Sequence, residues 1–119
     1  MRNMMVLGVM AGLLVFGGVV QSYGADSVSI TGEVVDTYCY AIMGAKGESH
    51  RKCGIDCIEK GIAAGLLEKG TDKLYVLLPN KDRAPLPKEV IDKVGRQSTI
   101  TGKVYAAGGS QFLTVESVK

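Results

Sequence analysis

The pattern of apolar and polar residues divides the chain into an apolar N-terminal run and a longer region of short alternating segments. Met4 to Val20 contains no charged residue, Arg2 precedes it, and Ser22 and Gly24 occupy the −3 and −1 positions of a cleavage site. This order predicts a signal peptide over residues 1–24 and therefore a periplasmic or secreted protein. An uncleaved membrane anchor is the alternative, because a run of 17 residues reaches the shortest length that spans a bilayer.

The region from residue 25 to residue 119 has the length of one small domain. Stretches rich in Val, Ile, Thr and Tyr predict five strands, and a short helix is expected between the third and the fourth. The predicted strands are Ser27–Tyr38, Leu66–Glu68, Lys73–Leu78, Thr99–Ala107 and Gln111–Val118, and the predicted helix is Lys88–Val94. This order predicts a mainly β domain, an OB-like, partly open five-stranded barrel.

Two of the predicted strands share a short sequence. Ile30-Thr31-Gly32 in the first strand is repeated as Ile100-Thr101-Gly102 in the fourth. Glycine inside a strand usually marks a bulge or a sharp bend. We therefore expect two bent strands with similar roles, as closure of a barrel requires.

The segment from residue 40 to residue 64 is predicted to be an insertion between the first two strands. It contains a helix expected from about Ser49, a good N-cap, to about Ala63, before Gly65. One face of this helix is apolar and the opposite face is charged, so the first should pack on the barrel and the second should be solvated. The apolar residues are Ile55, Ile58 and Ile62, and the charged ones are Lys52, Asp56 and Glu59.

Potential metal ligands lie in this insertion and just before it. In a helix, His50, Cys53 and Cys57 would fall within about one sixth of the circumference, and Cys39 lies a loop upstream. Three Cys and one His form a known tetrahedral ligand set for zinc. Because all four positions would be filled by protein, the sequence predicts a closed, structural zinc site at Cys39, His50, Cys53 and Cys57.

Three cysteines also allow other interpretations. A disulfide from Cys39 to Cys53 or Cys57 would staple the insertion to an OB-like binding module and leave one thiol free. Thiolates also suit copper(I), and Met43 would add a soft ligand, so periplasmic copper or redox handling is a further alternative. Haem attachment is not expected, because the chain contains no C-x-x-C-H sequence.

Several other functions find little support. The single histidine lies in the predicted metal site and no C-x-x-C occurs, so we expect no enzyme activity. The carboxylates of Glu33, Asp36 and Asp56 are dispersed and are expected to be solvated. Without Arg2 the basic and acidic residues nearly balance, which argues against nucleic acid as a partner. An unidentified protein or small molecule remains as the expected partner, and no stable membrane span is expected once the signal is cleaved.

The motifs together resemble those of a group of small exported bacterial proteins, mostly uncharacterised. That group has a strand ending in Cys-Tyr, a glycine-rich loop, His-x-x-Cys-x-x-x-Cys and an apolar hairpin. The corresponding positions are Cys39-Tyr40, Gly44–Gly47, His50 to Cys57, and Gly65 through Tyr75. The resemblance covers most of the domain and implies an OB-like fold with a metal or redox site, and it carries no established activity.

Overall fold

Seven strands and three α-helices make up the computed structural model, which describes residues 26–119. The predicted signal peptide lies outside the described residues. The strands are β1 (Val28–Asp36), β2 (Ala64–Glu68), β3 (Leu74–Pro79), β4 (Gln97–Gly102), β5 (Val104–Ala107), β6 (Ser110–Val115) and β7 (Ser117–Val118). The helices are α1 (Thr37–Met43), a 3₁₀ turn (Glu48–His50), α2 (Arg51–Glu59) and α3 (Lys88–Asp92).

All seven strands belong to one mixed sheet, in the order β5-β6-β3-β2-β1-β4-β7. Only β3 and β6 run parallel, and the other neighbours are antiparallel. The prediction of a mainly β domain is confirmed. The finer prediction of an OB-like, partly open barrel of five strands is not confirmed, because the sheet has seven strands and its ladder ends at β5 on one side and at β7 on the other.

The additional strands arise because the two predicted C-terminal strands are each divided by one residue. Lys103 separates β4 from β5, where its carbonyl accepts a hydrogen bond from the Thr114 N–H at 3.0 Å. Its own N–H donates to the Thr114 hydroxyl at 3.0 Å. Glu116 separates β6 from β7, and its N–H donates to the Thr101 carbonyl at 2.8 Å. Strand-like sequence continues through both divisions, so the pattern of residue types could not reveal them.

The two repeated glycines allow neighbouring strands to approach closely. A Cβ atom at Gly32 would overlap the carbonyl of Leu67, and one at Gly102 would overlap the carbonyl of Thr114. Both positions are buried, so the neighbouring backbone could not move into solvent to make room. The similar role expected for the two Ile-Thr-Gly segments is therefore close backbone packing.

The hydrophobic core lies on one face of the sheet and extends to α3. The last three residues of β1, Val34 to Asp36, are all buried, which means that both faces of this strand end are covered. Ile55 and Ile58 of α2 pack against the core, as the helix pattern predicted. The core consists of Ile30, Val34, Ala64, Leu66, Tyr75, Leu77, Val90, Val94, Ile100, Leu113 and Val115.

The inserted segment lies between β1 and β2, as predicted, but its helices differ from the prediction. α2 ends at Glu59 instead of near Ala63, because Gly61 adopts the left-handed conformation with φ of 104°. The N–H groups of Gly61 and Ile62 donate to the carbonyls of Ile58 and Cys57, both at 3.0 Å, which is the hydrogen-bond pattern of a Schellman motif. The expected Ser49 cap is also wrong, since Ser49 lies inside the 3₁₀ turn.

The other predicted helix, α3, lies between β3 and β4 as expected and ends at Asp92, two residues earlier than predicted. Val94 pairs instead with Val34 of β1, and the Gly95 N–H donates to the Val34 carbonyl at 2.8 Å. α3 is thereby held against the end of β1, where the inserted segment begins. Among the described residues, no helix has the length and apolar character needed to cross a bilayer.

Candidate metal centre

Cys39 lies on a helix that the sequence pattern did not predict. The first strand ends at Asp36 instead of Tyr38, and α1 begins at Thr37. The Asp36 carboxylate caps this helix, because its Oδ1 atom accepts a hydrogen bond from the Cys39 N–H at 2.8 Å. The Cys39 side chain is only 5% exposed, so it faces the interior. Cys39 lies a loop upstream of the other three ligands, as predicted, but on a helix instead of at the end of a strand.

The other three predicted ligands lie on the 3₁₀ turn and α2, which follow one another without a break from Glu48 to Glu59. Arg51 holds the start of α2, since its guanidinium donates to the Asp92 carbonyl at 2.9 Å and to the Val94 carbonyl at 2.6 Å. Glu48 forms an exposed ion pair with Arg96 at 3.2 Å. These contacts fix the helical segment against α3 and the start of β4.

The predicted ligands come together in two overlapping groups. One ring nitrogen of His50 and the Sγ atoms of Cys39 and Cys53 all lie within 4.8 Å of one another. A carboxylate oxygen of Asp36 and the Sγ atoms of Cys39 and Cys57 form a second group within the same limit. Zinc ligands lie about 2.0–2.3 Å from the ion, so small side-chain movements would bring either group around one ion. Cys39 belongs to both groups, and that all four predicted ligands bind the same ion stays a prediction.

Asp36 is the site residue that the sequence analysis missed. Its side chain is completely buried, whereas we expected it to be solvated. Its Oδ2 atom lies 2.8 Å from Nε2 of His50, so the carboxylate contacts one predicted ligand and caps the helix of another. Its position in the sequence could have indicated this role. Asp36 follows the apolar pair Val34 and Val35 and lies three residues before Cys39, where an N-cap residue is expected.

Hydrogen bonding determines the charge state of Asp36. Burial alone would raise the pKa of this carboxyl, but the hydrogen bonds from the Cys39 N–H and from His50 outweigh it and lower the pKa below its ordinary value. The ionised carboxylate only accepts hydrogen bonds, so Nε2 of His50 is the donor. In a neutral imidazole the lone pair is then on Nδ1, which is the nitrogen available to a metal ion.

The three cysteines are free thiols that differ in exposure. Cys53 is exposed, Cys57 is half-buried and Cys39 is buried. Burial and the adjacent Asp36 carboxylate raise the pKa of Cys39 to about 12 and also raise that of Cys57. Thiols must lose their protons to bind a metal, so binding here would release protons. The structure has no disulfide between Cys39 and either Cys53 or Cys57, the bond considered as an alternative.

Two residues that entered the other interpretations are exposed. Met43, the additional ligand considered for copper, is 64% exposed. Asp56 is exposed, as expected, and pairs with Lys60 at 3.1 Å.

Gly54 allows α2 to lie directly against the site. A Cβ atom here would be 2.8 Å from Cγ1 of Val94 and 3.4 Å from Oδ2 of Asp36. Alanine has the better helix propensity by about 1 kcal/mol, yet Val94 is buried and cannot move aside freely. We expect Gly54→Ala to lower the free energy of unfolding by about 1–3 kcal/mol in a denaturant titration. The control is Lys52→Ala, at an exposed position of the same helix. A more stable Gly54→Ala variant would show that this close contact is unimportant.

The fold and the cluster define a small, mainly β domain with a Cys/His/Asp cluster that could hold a metal ion. In comparisons with protein-family models, curated proteins and solved structures, nothing matches this chain.

Proposed function

We propose that this protein is an exported metal-binding domain whose Cys39, His50, Cys53 and Cys57 hold one structural zinc ion. The observation that carries the proposal is that three zinc-type donor atoms from two helical segments lie within 4.8 Å of one another. Cys39 comes from α1, His50 from the 3₁₀ turn and Cys53 from α2. Cys57 lies one turn beyond Cys53 and approaches the shared ligand, Cys39, so it is the fourth ligand in this proposal.

Asp36 supports the proposal through its contact with His50. Histidines that bind metals usually donate their other ring nitrogen to a carboxylate or a carbonyl, which fixes the ring and its tautomer. The hydrogen bond of 2.8 Å between Asp36 and His50 has this geometry, with Nδ1 left for the ion. Because the pKa of Asp36 is lowered, the carboxylate keeps its negative charge beside a bound cation.

The proposed role of the ion is to fasten α1 to α2. α1 has only seven residues, too few for a helix that is stable alone in water. Its outer face carries Tyr38, Ile42 and Met43, all more than half exposed, so these side chains add little burial energy. An ion shared by Cys39 and Cys53 would hold the two helices together in a domain too small to have much stability to spare.

The continuity of the chain supports an OB-like arrangement. Lys103 alone separates β4 from β5, and Glu116 alone separates β6 from β7. We propose that each pair acts as one long bent strand, β4–β5 as the fourth and β6–β7 as the fifth strand of an OB-like barrel. The β4–β5 strand then pairs with β1 through its first half, β4, and with β6 through its second half, β5. The metal-binding segment is an insertion between the first two strands.

Export is proposed from the N-terminal sequence, in which Arg2, the apolar run and the small residues Ser22 and Gly24 follow the order of a signal peptide. A periplasmic or secreted location follows from this proposal. Three thiols make the site rich in soft ligands, and this favours copper(I) as the second candidate ion.

Metal analysis of the purified protein tests the proposal. The full sequence is expressed, and the protein is purified with a reductant and without chelators. We expect about one zinc ion per chain in the wild type and a smaller amount, more easily removed by a chelator, in Cys53→Ser, because the serine hydroxyl does not replace a thiolate. Lys52→Ser, at the adjacent exposed position, should keep the ion. Copper in place of zinc would support the second candidate, and a folded, metal-free wild type would contradict both.

A further inference from the structure

The three thiols of the cluster have an arrangement that metal binding alone does not require. The Sγ atom of Cys39 lies within 4.8 Å of the Sγ atoms of both Cys53 and Cys57. Cys53 and Cys57 are one turn apart on α2, and both approach α1. The buried thiol of Cys39 therefore has two alternative thiol neighbours, and all three thiols are free.

The remaining pair, Cys53 with Cys57, is poorly placed for a disulfide. Side chains four residues apart on a helix have Cβ atoms about 5–6 Å apart, whereas a disulfide requires about 3.5–4.5 Å. A bond between these two cysteines would distort α2, which has a regular helical hydrogen-bond pattern from Arg51 to Glu59. Any disulfide that preserves the fold must therefore include Cys39.

We propose that the thiols form a redox switch, in which a small-molecule or protein disulfide oxidises Cys39 together with Cys53 or Cys57 and thereby releases the metal ion. The regulation of the ion rests on the function proposed above. The oxidant that acts on the thiols is a disulfide, such as oxidised glutathione. It accepts the two electrons that the two protein thiolates give up.

The order of steps follows from exposure. Cys53 is the exposed thiol, so its thiolate attacks one sulfur of the oxidant, the oxidant's S–S bond breaks, and one thiolate leaves. Cys39, which is a thiolate while it binds the ion, then attacks Sγ of Cys53 in the mixed disulfide, and the second oxidant thiolate leaves. The products are one protein disulfide and two oxidant thiolates, so atoms and electrons balance.

The disulfide can then move without a further oxidant. The Cys57 thiolate attacks Sγ of Cys39, forms the Cys39–Cys57 bond and releases Cys53 as a thiolate. This exchange moves the bond from an exposed partner to a half-buried one. In either form the ion loses two ligands, including Cys39, which belongs to both ligand groups. The ion should therefore leave whichever bond is present.

Peptide mapping and zinc release, measured together, test the switch. The zinc-loaded, full-length protein is treated with increasing oxidised glutathione, disulfides are mapped by mass spectrometry, and free zinc is followed with a chromogenic chelator. We expect one disulfide per chain that always includes Cys39, about one zinc ion released per disulfide, and recovery of zinc binding after reduction. Cys53→Ser and Cys57→Ser should each still form the remaining Cys39 disulfide, more slowly in Cys53→Ser because the exposed thiol is missing.

Other outcomes separate this inference from the proposed function. Zinc-loaded wild type that forms only glutathione adducts, or a Cys53–Cys57 disulfide, would overturn the switch and leave zinc binding intact. Formation of the Cys39 disulfide in a protein that never binds an ion would overturn the proposed function and the control of the ion with it. The Cys39→Ser variant should form no protein disulfide at the same dose. If that variant does not fold, the peptide map of the wild type still decides the question.

Discussion

Replacing Cys39 with serine is expected to remove nearly all bound metal, the largest effect of any single substitution in this domain. Cys39 is the only residue that belongs to both potential ligand groups, so no group of three remains intact without it. Loss of either Cys53 or Cys57 leaves one group complete. We expect the metal content, measured by elemental analysis, to fall from about one ion per chain to near zero in Cys39→Ser.

The same substitution also tests how far folding depends on the ion. A serine hydroxyl at this buried position costs about 1–3 kcal/mol if it finds no hydrogen-bond partner. A larger loss of stability in the zinc-loaded protein, whose excess over this cost disappears after chelation, would show that the ion stabilises the fold. Ala41→Ser, at an exposed position of α1, is the control and should change neither quantity. Full metal content in Cys39→Ser would exclude Cys39 as a ligand.

Replacing Asp36 with asparagine should weaken metal binding by about 10–100-fold while α1 remains capped. The amide oxygen can still accept the hydrogen bond from the Cys39 N–H, which now goes to Oδ1 of Asp36. The amide N–H₂ would then face Nε2 of His50 and favour the imidazole tautomer with its proton on Nδ1. That proton occupies the nitrogen proposed to bind the ion, so affinity should fall.

Asp36→Ala provides the comparison because it removes both hydrogen bonds. It should lose the metal affinity that Asp36→Asn loses and also about 1 kcal/mol or more of stability from the missing helix cap. Chelator competition measures the affinity, and denaturant titration of the metal-free protein measures the stability. If Asp36→Asn bound zinc as tightly as the wild type, the Asp36–His50 contact would have no role in orienting the ligand.

The part of the site that the sequence predicted is the part that depends on local periodicity. His50, Cys53 and Cys57 are spaced for one side of a helix, and a continuous helical segment from Glu48 to Glu59 carries them. The apolar positions Ile55 and Ile58 of that helix pack on the core, as the same periodicity predicted. Such spacing requires no knowledge of distant contacts.

The position of Cys39 and the role of Asp36 could not be read from periodicity. Thr37 and Tyr38 favour strands, so the pattern extended β1 past its end, although Asp36 as N-cap and Gly44 after the helix are both present in the sequence. The burial of Asp36 results from tertiary packing: α2 and Val94 cover the end of β1, and His50, fourteen residues later, supplies the hydrogen-bond partner. A carboxylate with a distant partner appears in the sequence as an ordinary surface residue.

The strands show the same division between local and distant information. The hairpin of β2 and β3 was predicted from its apolar residues and the turn between them, and it is present with bounds shifted by a few residues. The divisions at Lys103 and Glu116 depend on hydrogen bonds to Thr114 and Thr101 on neighbouring strands. Those partners are known only once the strands have paired.

X-ray absorption spectroscopy of the zinc-loaded protein tests the central claim most directly, because it measures the atoms bound to the ion. The proposed site predicts sulfur neighbours at about 2.3 Å and one nitrogen neighbour at about 2.0–2.1 Å. The sulfur contribution should decrease in Cys53→Ser and in Cys57→Ser. A shell of oxygen atoms alone, with no sulfur neighbour, would contradict the claim that Cys39, His50, Cys53 and Cys57 form a metal site.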